Sequence, residues 1–147
     1  MQGRGNDVLV CTVTLVSALA HSSISKALRV LDAAEPRERV ELEQQVMGAI
    51  AIRSPYVALA RVESWPAGER RSYVQALASK AISAWDPDRA IAVLGEIDDP
   101  VIQQQTAVNI VNTLTADQLR TVSDLLGMEP EALYRMSGSE PDYVGYN

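Results

Sequence analysis

Four arginines, Arg53, Arg61, Arg70 and Arg71, form the densest basic group in the chain. Guanidinium groups recognise carboxylates and phosphates through paired N–H donors, so stacked helices that brought these four to one side would make an anion-binding patch. They are the candidate partner-binding residues. The alternative is a solvated face in which the same arginines pair along their own helices with residues such as Glu63 and Glu69. Four aspartates, Asp86, Asp88, Asp98 and Asp99, crowd two short stretches. Carboxylates at helix starts are stabilised by the exposed N–H groups and the helix dipole, and capping is the role expected of all four. Their spacing is not that of an EF-hand loop, which also needs a glycine and a closing glutamate. An acid–base pair would need two unlike environments, and nothing in the sequence creates them. Cys11 is the only cysteine and His21 the only histidine, which rules out an intramolecular disulfide and a Cys/His zinc cage by counting. The two lie ten residues apart in an apolar stretch, with no third group to activate either. No catalytic, cofactor-binding or metal-binding residue is assigned, and the chain is expected not to be an enzyme.

Composition argues against one class of partner. The chain has 147 residues, 47% of them hydrophobic, and no Phe, so helices packed through Ala, Val, Leu and Ile are expected and aromatic platforms are scarce. The net charge of −6 is unevenly spread. Residues 1–85 hold 10 Lys/Arg against 8 Asp/Glu, and residues 86–147 hold 3 against 11, giving +2 and −8. Binding along a nucleic acid requires a continuous basic face, so this balance argues against a nucleic-acid partner; the acidic half suits solubility, a basic partner or nothing specific.

The elements that would position these side chains are helices. Apolar residues recur at three and four from Ser22 onward, and the breaks fall on proline or small polar pairs. In "YVQALASKAISAW", Val74, Leu77, Ala78, Ala81, Ile82 and Trp85 line one face of a helix about three turns long. Ser54-Pro55, Asp86-Pro87 and Asp99-Pro100 each set a capping side chain before a proline, and Thr115 with Gln118 makes a capping box. Glu35-Pro36 and Glu129-Pro130 start helices with weaker caps. Helices are predicted near 7–20, 23–34, 37–52, 55–65, 68–84, 87–97, 100–114, 116–126 and 130–136. Trp65 and Trp85, at helix ends, are expected to wedge neighbouring helices together.

A phrase also repeats. Pro55, Ala58, Leu59, Ala60, Val62 and Trp65 match Pro87, Ala90, Ile91, Ala92, Leu94 and Ile97, and a fainter copy sets Ala27, Leu28 and Leu31 against Ala58, Leu59 and Val62. The second helices correspond if Ser72, Tyr73, Val74 and Leu77 face Thr106, Ala107, Val108 and Val111 after a two-residue insertion. The fold class expected is therefore all-α, with antiparallel helix pairs stacked as an α-solenoid, a HEAT-like superhelix. An irregular helical bundle is the alternative. The domains are an N-terminal apolar segment (1–22), a helical repeat domain (23–136) and a tail (137–147).

Trp85-Asp86-Pro87 with Ala90, the looser Ser54-Pro55 with Ala58 and the turn Trp65-Pro66 resemble bacterial HEAT-like or TPR-like helical repeats over about residues 23–114. The Trp, Gly and Tyr spacing of the tetratricopeptide pattern is missing. The resemblance implies scaffolding or partner recognition and brings no catalytic residues. "QLRTVSDLLGMEPEALYRM" (118–136) resembles a DNA-binding helix-turn-helix, with Ser123, Gly127, Leu133 and Arg135 at the matching places. Glu129 and Glu131 stand where that likeness would have the second helix approach phosphates, which favours a closing helix pair. A DNA-binding regulator and a small acidic inhibitor or immunity-type protein acting through the acidic half are the alternative functions.

Residues 8–20, "VLVCTVTLVSALA", are too short for a transmembrane helix. Ala18-Leu19-Ala20 would suit a secretory signal, but Asp7 offsets Arg4 and Thr12, Thr14 and Ser17 dilute the apolar run. A first helix in a cytoplasmic protein is expected, with a periplasmic or secreted protein as the alternative.

Overall fold

The computed structural model describes residues 24–138, and among them the chain forms α-helices, one 3-10 turn and no strand. The helices are α1 (Ile24–Ala33), α2 (Pro36–Arg53), α3 (Pro55–Val62), α4 (Glu69–Ser83), α5 (Pro87–Glu96), α6 (Pro100–Ile110), extended by the turn Val111–Thr113, α7 (Ala116–Leu126) and α8 (Pro130–Ser137). The segment 7–20 and the tail beyond Gly138 lie outside the described residues. None of the described helices is long and apolar enough to cross a membrane.

Five of these helices open on proline, whose absent N–H is not needed in the first turn. The capping side chains divide. Asp86 accepts from the Arg89 N–H at 3.2 Å, and Asp99 accepts from Val101 and Ile102 at 3.0 and 3.1 Å. Ser54, expected to cap α3, makes no side-chain cap although its backbone (φ −138°, ψ 73°) is nearly that of Asp86 (φ −143°, ψ 78°). Ser54 instead gives its own N–H to Ile50, ending α2. The Thr115–Gln118 capping box forms with both bonds present, and α7 stops at Gly127, whose φ of 64° suits a residue without Cβ.

Packing follows chain order. Each helix–helix contact of appreciable extent joins elements that are adjacent or next but one along the chain. Helix α4 lies at the centre, against α2 and α3 on one side and α5 and α6 on the other. Small residues make this approach feasible: Ala78 and Ser79 are fully buried, and the Ser79 hydroxyl donates to the Ala90 carbonyl at 2.9 Å. Gly48 of α2 faces the same helix so closely that a Cβ there would meet Leu77 at 3.2 Å and Tyr73 at 3.3 Å.

Burial repeats with the sequence. Ala27, Ala58 and Ala90 are fully buried; one turn on, Leu31, Val62 and Leu94 are buried too, while Leu28, Leu59 and Ile91 are half-buried in all three copies. In the second helices Leu42, Val74 and Thr106 are buried at successive steps of 32 residues, as are Val46, Ala78 and Ile110, and Met47, Ser79 and Val111. The register thus runs through without the two-residue insertion that residue types alone suggested. Side chains such as Val74 and Thr106 occupy the same kind of place despite their unlike chemistry. The apolar core forms two groups, one built on α1 to α4 and one on α4 to α8; Val74 and Ala78 belong to the first, Ile82 to the second, and Leu59 packs against both.

Trp85 does not wedge helices. It is 58% exposed, because α4 ends at Ser83 and the periodic face ends with it. Trp65 is half-buried against the first core group.

Candidate partner-binding groove

The four arginines are dispersed by the antiparallel packing. Arg70 donates to the Val40 carbonyl near the start of α2, whereas Arg53 is the last residue of that helix, 13 positions and about 20 Å further along its axis. Arg53 therefore lies at the opposite end of the stack from the other three. Those three hold together the end where α1 meets α2, α3 meets α4 and α5 meets α6. Arg61 pairs with Asp32, the Arg70 guanidinium lies 5.6 Å from the centre of the Trp65 ring, and Arg71 donates to the Trp65 carbonyl at 3.2 Å. The partners are thus on other helices and turns. They are not the local Glu63 and Glu69 that the sequence offered.

Arg71 also belongs to a small polar node. Its Nη2 stands 3.5 Å from the Asp98 carboxylate, the Ser72 hydroxyl donates to Asp98 at 3.1 Å, and the Asp99 N–H donates back to Ser72 at 3.3 Å. Desolvation alone would raise the Asp98 pKa. Its own backbone N–H, the Ser72 hydroxyl and the Arg71 charge outweigh that effect and hold the carboxyl below its ordinary value. Asp88 accepts from the Gln118 side chain at 2.9 Å. Asp88 and Asp98 therefore join helices, while Asp86 and Asp99 cap them.

Beside this node opens a groove of about 560 Å³, floored by α4 and walled by α3 and α5. Helix periodicity sets its lining. From α3 come Tyr56, Leu59 and Ala60, and from its C-terminal cap Glu63, at steps of three, one and three. From α5 come Arg89, Val93 and Glu96, and from α4 come Arg71 and Gln75. Each set occupies one stripe of its helix. Arg71 is the one of the four candidate arginines that lines it. Gln75 is only 7% exposed, yet its side-chain carbonyl has no hydrogen-bond partner; the Arg71 Nε–H is likewise buried and unbonded. Buried polar atoms are nearly always paired; the Arg39 Nε–H and the Ser123 hydroxyl, away from the groove, are unbonded in the same way.

Tyr56, Gln75, Arg89 and Glu96 were not singled out from the sequence. A signal was there: Ser72, Gln75, Ser79 and Ser83 make a second stripe on α4 at steps of three, four and four, and all four are buried. A helix with polar residues at buried spacing on one side and apolar ones on another is covered on both.

A shallower depression of about 440 Å³ gathers Val40, Trp65, Pro66 and Arg70 at the same end of the stack. In the last helix pair, Leu133 is buried and Glu131 is exposed beside Arg120 and Tyr134. No protein-family model, curated protein or solved structure matches this chain at a significant level.

Proposed function

We propose that this chain is a non-enzymatic protein–protein interaction module: a short α-solenoid that holds a protein or peptide partner in the groove between α3 and α5. The observation that carries this reading is that the extensive helix packing joins near neighbours in the chain. A stack of that kind closes its core between successive pairs and leaves troughs between successive first helices, which is where such folds bind. The recurring burial of Ala27, Ala58 and Ala90 and of Leu42, Val74 and Thr106 supports the same architecture. Recognition then works by shape and charge complementarity along the trough.

The test is site-specific photocrosslinking in the native cell. A photoreactive amino acid replaces Ala60, exposed on the groove wall, or Gln105, exposed on α6 away from it. A discrete protein adduct from position 60 and none from 105 is the expected result. Equal labelling from both positions, or none from position 60, would overturn the reading.

A further inference from the structure

The groove has a charge axis. Glu63 and Glu96 stand at the end where α3 and α5 finish, and there Arg71 is already matched by Asp98. Arg89 and Tyr56 stand at the other end, where those two helices begin. Arg89 and Glu96 are seven residues apart on one face of α5, about 10 Å along its axis. That distance equals about three residues of extended chain. Between the poles lie Leu59, Ala60 and Val93 on the walls and Gln75 on the floor, its side-chain carbonyl unbonded and turned under the surface. A main-chain N–H is the complement of that acceptor, and the broad terminal torsion of glutamine lets the Gln75 amide turn toward it.

Building on the interaction reading above, we propose that the groove binds an extended peptide segment that carries a cationic side chain and, about three residues away, a carboxylate. The cation lies between Glu63 and Glu96, and the carboxylate meets Arg89 beside Tyr56. The intervening main chain bonds to Gln75, with small apolar side chains over Leu59 and Val93. The two poles are further apart than the charges of a free amino acid, which is why a chain segment fits and a single zwitterion does not.

The experiment uses the full chain and fluorescein-labelled hexapeptides with Lys and Asp three positions apart, in both orders, separated by Ala or Val. Fluorescence anisotropy should show saturable binding of one order, at least about tenfold weaker for Arg89→Glu. A peptide with Lys in place of its Asp should recover binding to Arg89→Glu, and Gln75→Ala should weaken both combinations alike. Helix content by circular dichroism confirms that the variants fold. Binding that ignores Arg89→Glu, or a charge swap that fails to rescue, overturns the assignment of the poles. If no hexapeptide binds while Ala60 still crosslinks a protein, the peptide inference falls and the interaction reading stands; loss of both removes both.

Discussion

Truncating Leu133 to alanine asks whether the two core groups stand or fall together. Leu133 is fully buried in α8, which packs chiefly against α6 and α7. The change removes three carbons, about 2.4 kcal/mol at about 0.8 kcal/mol per buried methylene, and the cavity left behind adds about 1 kcal/mol. A loss of about 3 kcal/mol corresponds to a factor of about 150 in an opening equilibrium. In a stack held by near-neighbour contacts that loss is local. Hydrogen exchange followed by mass spectrometry should show amides of α7 and α8 exchanging about 100-fold faster, with those of α1 and α2 almost unchanged. Ile82→Ala removes a similar side chain from α4, the helix common to both groups, and should lower protection on both sides of it. Equal loss of protection in all helices with Leu133→Ala would refute the near-neighbour account and describe one cooperative bundle.

Three further outcomes follow from local geometry. Gly48→Val should destabilise by about 1–3 kcal/mol, seen as a lower urea midpoint, because its branched side chain would enter the space of Leu77 and Tyr73; an unchanged midpoint would mean the α2–α4 crossing yields. Thr115→Ala removes a capping-box hydroxyl and should cost about 1 kcal/mol, read as a fall in Tm that Thr115→Ser largely restores. Asp98 has a folded-state pKa below its unfolded value, so it contributes stability above the unfolded pKa that is lost as pH falls through the folded one. Asp98→Asn should therefore flatten the acid side of a Tm-against-pH curve; an identical slope for both proteins would contradict the node with Arg71 and Ser72.

Helix positions were legible in the sequence because proline and carboxylate caps act within one turn. The predicted 100–114 helix ran on only because the 3-10 turn at Val111–Thr113 continues α6 without a break in pattern. Side-chain direction beyond a helix end was not legible, as Trp85 shows: periodicity says nothing once the backbone leaves the helix. Arg71 was visible as a candidate, but its partner Asp98 is 27 residues away, and its groove neighbour Gln75 shows only as one member of the Ser72–Ser83 polar stripe. The groove depends on which stripe of α4 turns toward α3 and α5, and that is fixed by the stacking of three helices, which no local spacing encodes.

The uninterrupted 32-residue step of burial along α2, α4 and α6 restricts how such a chain can change length. Deleting one residue inside α4 would turn everything after it by about 100° relative to what precedes it. Ile82 would then leave the core, and the floor of the groove would rotate away from its walls. An insertion of a whole 32-residue step would instead keep the buried faces of α2, α4 and α6 in register.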